Sequence, residues 1–112
     1  MIRNFGKIVL NILLVATAWL PSSAQQSANV TISVKNHRFQ PAEIQAPANV
    51  PIELRVKSLD SAPMEFESVS LRVEKVVTGN GEGVIRLRPL APGRYEFFDD
   101  FHPETRGALV TK

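Results

Sequence analysis

Apolar and polar residues alternate along much of this chain, with the two-residue period of a β-strand rather than the period of a helix. Val30-Thr31-Ile32-Ser33-Val34 and Pro51-Ile52-Glu53-Leu54-Arg55-Val56-Lys57 both put every second residue on an apolar face. Val84-Ile85-Arg86-Leu87-Arg88 and Arg94 to Phe98 repeat the pattern. Shorter extended pieces are predicted at Glu43-Ile44-Gln45-Ala46, Met64 to Ser68, Leu71 to Val77 and Gly107 to Thr111. Turn-forming stretches separate them: Lys35-Asn36-His37-Arg38, Pro47-Ala48-Asn49, Ser58 to Pro63, Thr78 to Gly83 and Ala91-Pro92-Gly93. About seven or eight short strands spaced in this way predict an all-β sandwich. Alternation along each strand gives each sheet one core face and one wet face.

The first residues read differently. Met1 to Lys7 carries Arg3 and Lys7 and no acid, Ile8 to Leu20 is mostly apolar, and Pro21-Ser22-Ser23-Ala24 ends in small residues. That order predicts a secretory signal, residues 1–24, cleaved after Ala24. The competing reading is an uncleaved anchor, but the apolar run falls short of the ~20 helical residues that span a bilayer. Residues 25–112 then form one domain, exported and placed in the periplasm.

Charge and cysteine content narrow the classes. The chain has 13 basic and 11 acidic residues, and Arg3 and Lys7 leave with the signal, so the exported part is neutral. Its basic residues are scattered singly along strands, which argues against a nucleic-acid partner. With no cysteine, neither a disulfide nor a lipid-modified N-terminal cysteine is available.

The candidate chemistry lies in Tyr95-Glu96-Phe97-Phe98-Asp99-Asp100-Phe101-His102-Pro103, where an aromatic strand runs into two aspartates and one of the two histidines. Carboxylate oxygen beside imidazole nitrogen suits a transition metal. Asp99-x-x-His102 in a strand-end loop brings both side chains to one side; alternatively Asp99 caps a turn and His102 packs on Pro103. Asp100 reads as a solvated neighbour and His37 as a surface loop residue. Glu65 and Glu67 share one strand face while Phe66 points to the other. They either hold a cation or form a wet face balanced by Arg72 or Arg55. Met64 shares the inward parity of Phe66, as a thioether ligand or as core filler. Glu74 either joins the carboxylates or pairs with Lys75 at the surface. Paired carboxylates also serve glycosidases, but the domain has little room for a cleft, and no Ser-His-Asp order, phosphate loop or zincin motif is present.

Phe39-x-Pro41-x-x-Ile44 followed by Pro47, a strand, a polar loop and an aromatic strand ending in His-Pro resembles a cupredoxin. Met64-Glu65-Phe66-Glu67-Ser68, Glu74-Lys75 and Pro89-Leu90-x-Pro92-Gly93-x-Tyr95-x-Phe97-Phe98-x-x-Phe101-His102 resemble, more narrowly, the cupredoxin-like domains of EfeO-type iron-uptake proteins and small periplasmic proteins associated with Ftr-type iron permeases. The resemblance covers nearly all of residues 25–112 and implies a cupredoxin-like Greek-key β-sandwich that binds copper or iron. It implies metal ligands among Asp99, His102, Glu67, Glu65 and Met64, with Glu67 ahead of Glu65. It also implies an inner-membrane iron permease as partner, with the membrane reached only through that partner. A blue-copper site needs two His, a Cys thiolate and usually an axial Met. Here Asp99 stands at the thiolate position, Met64 or Glu65 near that of the upstream histidine, and Thr105 and Arg106 where the axial Met is expected. Blue-copper electron transfer is therefore excluded. A metal-binding module is expected ahead of an enzyme, with a role in ferrous iron oxidation left open. The alternative is a metal-free sandwich that docks on a permease or partner protein.

Overall fold

Asn36 and His37 both adopt left-handed backbone, with φ of 52° and 55°. Two consecutive residues of that kind make the turn whose twist matches a tight hairpin. They close β1 (Ala28–Lys35) onto β2 (Arg38–Gln40), with Lys35 opposite Arg38. The computed structural model describes residues 26–112. The expected signal segment lies outside them.

The remaining strands are β3 (Glu43–Ala46), β4 (Ile52–Ser58), β5 (Met64–Ser68), β6 (Val73–Val77), β7 (Glu82–Leu87), β8 (Gly93–Asp99) and β9 (His102–Thr111). Two sheets result, one ordered β2-β1-β4-β7 and the other β3-β9-β8-β5-β6. Both are mixed, because β1 runs parallel to β4 and β3 parallel to β9. The described residues form no helix. The all-β sandwich is as expected, with nine strands in place of seven or eight. The additional one is β2, and β9 starts at His102 rather than Gly107.

Alternation does the packing. Ile52, Leu54 and Val56 of β4 point inward, and Met64 and Phe66 of β5 meet them from the other sheet. Phe97 lies at the centre, edge-on to Phe39 at 4.9 Å and tilted against Phe66 at 4.8 Å between ring centroids. Gly107 on β9 is required there, because a Cβ would come within 2.5 Å of the Phe97 ring and 2.8 Å of the Ala42 carbonyl oxygen. This aromatic centre fixes the positions of β5, β8 and β9. Their adjoining ends carry Met64, Asp99 and His102 at one end of the sandwich, beside the β1–β2 hairpin.

Candidate metal centre

Asp99 is the last residue of β8 and has the inward parity of Phe97, so its carboxyl is almost fully buried, at 1% exposure. Three groups meet it there. Oδ1 accepts the backbone N–H of Glu65 and that of Phe101, each at 3.0 Å. Oδ2 faces Nδ1 of His102 at 3.4 Å. Asp99 and His102 are ladder partners, separated by the two-residue turn Asp100-Phe101. Their convergence is thus built into the β8–β9 hairpin. The spacing is long for a hydrogen bond. It is close to the roughly 3.3 Å between two ligands of one tetrahedral ion with metal–ligand lengths of ~2.0–2.1 Å. The donor set therefore fits a borderline or hard transition metal.

His37 sits at the surface, as expected, but against the site. Its ring centroid lies 4.0 Å from that of His102, with the planes inclined at 36°. Two contacts hold the turn in place. The Asp60 carboxylate accepts the N–H groups of Asn36 (2.7 Å) and His37 (3.0 Å), and these bonds hold its pKa below the ordinary value. The hydroxyl of Thr105 donates to the His37 carbonyl oxygen at 2.6 Å. Thr105, at the expected axial position, is therefore buried and engaged in pinning the hairpin.

The glutamates form a separate group. Donor atoms of Glu65, Glu67 and Asp100 all lie within 4.8 Å of one another, the one such group of three or more found among the described residues. Asp100 joins because the hairpin turn folds it back over β5, where its N–H donates to the Glu65 carbonyl oxygen at 2.9 Å. Period-two reading of β5 pairs the glutamates but cannot place a turn residue from a different hairpin. Glu67 thus gathers with Glu65 and Asp100, next to Asp99 in the chain, rather than with Asp99 and His102 themselves. Partial burial and then the charges of Glu74 and Asp100 raise the pKa of Glu65. Partial burial and then the charges of Asp100 and Glu74 raise that of Glu67. Arg55, one of the two basic residues expected to balance them, is paired with Glu82 instead. Among the described residues none of Glu65, Glu67, Glu74 and Asp100 takes part in an ion pair with a basic side chain. Glu74 stands opposite Glu67, and Lys75 opposite Phe66.

Met64 is buried, at 2% exposure, in the apolar core beside Val77. It occupies the same end of the sandwich as Asp99, on the inner face of β5.

Two mixed sheets with donor side chains gathered where β8 turns into β9 define a cupredoxin-type sandwich. A family model described as a cupredoxin-like domain matches residues 8–111, and the chain belongs to that family. Among curated proteins it is 41% identical over 81 residues to the uncharacterized protein RP394 of Rickettsia prowazekii (strain Madrid E). The match covers 72% of this chain and 65% of that relative's length. Among solved structures, the metal binding domain of the Cu(I)-exporting P-type ATPase CopA of Streptococcus pneumoniae D39, with Cu(I), superposes with a TM-score of 0.65 at 21% identity. That match covers 75% of this chain and 84% of the other. Amicyanin from Paracoccus versutus gives a TM-score of 0.61 at 13% identity, over 78% of this chain and 84% of its own. A purple cupredoxin from Nitrosopumilus maritimus gives 0.56 at 16%, over 77% and 100%. At these identities the structures establish the fold.

Proposed function

We propose that this chain is an exported, periplasmic metal-binding protein that handles copper or iron in support of an iron permease. The observation that carries the reading is the Asp99–His102 pair: a buried carboxylate oxygen and an imidazole nitrogen 3.4 Å apart at the strand end. In this reading Asp99 and His102 hold the ion. Glu65 and Glu67 stand beside them as a carboxylate entry point, Glu67 first, and Met64 supplies a thioether from the core side. Oxygen and imidazole donors favour Cu(II) or Fe(III) over the reduced ions. Bound metal at such a site would make oxidation of Fe(II) easier, and a binding or delivery role comes ahead of turnover. Copper is supported by the Cu(I)-bound CopA domain that shares the fold, and iron by the sequence resemblance to permease-associated domains.

The test has two arms. Electron paramagnetic resonance of the Cu(II)-loaded domain is expected to show nitrogen coupling that His102→Ala removes. Cells carrying that variant are expected to take up radioactive iron more slowly than wild type when iron is limiting. Unchanged spectra in His102→Ala would contradict the site, and unchanged uptake would contradict the permease role.

A second reading is favoured by Oδ1 of Asp99, which already accepts two backbone N–H groups. In it, Asp99 ties β5 to the β8–β9 hairpin in a metal-free sandwich, which serves as an accessory subunit docked on a permease or partner protein.

A further inference from the structure

Arginines that are scattered in the sequence come together at the opposite end of the sandwich from Asp99 and His102. Arg86 and Arg88 lie on and just beyond β7, the edge of one sheet, and share a face by period-two alternation. Arg72 comes from the turn leading into β6, the edge of the other sheet. The three line a groove of about 600 Å³, together with Leu71, Leu87 and Leu90 and without an acidic residue.

Two features set this groove apart from ordinary charge on a sheet edge. First, the turn that carries Arg72 is held in place. Its backbone is left-handed, with φ of 55°, and its N–H bonds the Val69 carbonyl oxygen at 3.2 Å. The preceding N–H, of Leu71, bonds Ser68 Oγ, which itself donates to the Glu96 carbonyl oxygen at 2.7 Å. Second, the positive charge is largely unanswered. Arg86 makes only a loose 3.6 Å contact with Glu53, and among the described residues Arg72 and Arg88 form no ion pair. Three arginines lining one groove beside Leu71, Leu87 and Leu90 match an oxyanion that carries an apolar portion. The exported part is neutral overall, so attraction of anions here is a property of the groove rather than of the whole molecule.

We infer that this groove binds a phosphate-class oxyanion, with Arg72 and Arg88 as its principal contacts and Arg86 as an outer one. The oxyanion is either free or the headgroup of an anionic phospholipid. The chain enters the domain at this same end, since Ala28 pairs with Ile52 and Ile52 with Leu87. A headgroup held here would leave the Asp99–His102 end directed away from the lipid surface.

The experiment uses the domain from Gln25 to Lys112, which contains both sheets and the whole described core. Amide shifts of Leu71, Arg72, Arg88 and Leu90 are followed by NMR while inorganic phosphate is added. In parallel, the domain is sedimented with phosphatidylglycerol vesicles and with phosphatidylcholine vesicles. The variants are Arg72→Gln/Arg88→Gln and, as a control outside the groove that removes one positive charge, Arg38→Gln. Saturable shifts with inorganic phosphate that become roughly tenfold weaker in the double variant, with no vesicle binding, support the site with a free oxyanion as its ligand. Sedimentation with phosphatidylglycerol but not phosphatidylcholine, lost in the double variant and kept in Arg38→Gln, supports it with the headgroup as ligand. Binding of neither probe, or equal losses in Arg38→Gln and the double variant, overturns it.

Discussion

Glu67 stands directly opposite Glu74 across the β5–β6 ladder, and among the described residues neither is paired with a basic side chain. Like charges facing each other on adjacent strands oppose folding. Glu65 and Asp100 add to the same field, and partial burial first and then this field raise the pKa values of Glu65 and Glu67. Two agents relieve this repulsion: protons at low pH and a bound cation at neutral pH.

The metal-free domain should therefore lose stability as pH rises through this region. Below the ordinary carboxylate value of about 4.3 both the folded and unfolded states hold the protons. Between that value and the raised ones, the folded state keeps protons that the unfolded state has released, so stability falls with increasing pH. Above the raised values the deficit is complete. Thermal melts of Glu67→Gln against pH should show a higher Tm than wild type at pH 7, a flatter decline above about pH 4.3, and convergence near pH 3. An unchanged or lower Tm at pH 7 would mean that the repulsion is already screened.

Asp99→Ala should destabilise the domain by about 2–4 kcal/mol in urea, because the N–H groups of Glu65 and Phe101 lose their acceptor in a buried place. Asp99→Asn keeps an oxygen at Oδ1 and should cost less. Equal costs for the two would show that the charge, not the acceptor, holds the hairpin.

At Gly107 a methyl group has no room against Phe97 and the Ala42 carbonyl. Gly107→Ala should cost about 1–3 kcal/mol through displacement of the aromatic centre. In the same urea experiment, wild-type stability would contradict the close approach of β9 to Phe97.

The N–H groups of the β1–β2 turn are held by the Asp60 carboxylate. Asp60→Ala should speed hydrogen exchange at Asn36 and His37 while leaving exchange in β4 and β8 unchanged. Uniform acceleration throughout would instead indicate global destabilisation.

The strands with clean alternation were legible from residue types: every second residue buried, as in Ile52, Leu54 and Val56 or Met64, Phe66 and Ser68, is the rhythm of a strand with one buried face. Arg38–Gln40 was not, because three residues with one inward Phe carry no period. The first half of β9 was hidden for a different reason. His102 to Arg106 is polar and mostly exposed, and pairing with β8 rather than burial makes it a strand. At the site, Asp99 and His102 could be paired from their spacing because a hairpin is local. Asp100 joining the glutamates, His37 resting on His102 and the three arginines meeting in a groove all depend on contacts between distant elements, which local periodicity does not encode.

The most direct test of metal binding is a calorimetric titration of the metal-free domain from Gln25 to Lys112 with Cu(II), Cu(I) and, under anaerobic conditions, Fe(II). Wild type, His102→Ala and Glu67→Ala are compared. The expected result is one ion bound per chain for at least one of these metals, without intense blue absorption, and with weaker binding in both variants. Absence of binding by all three ions would contradict an autonomous metal site and leave the docking role as the reading that stands.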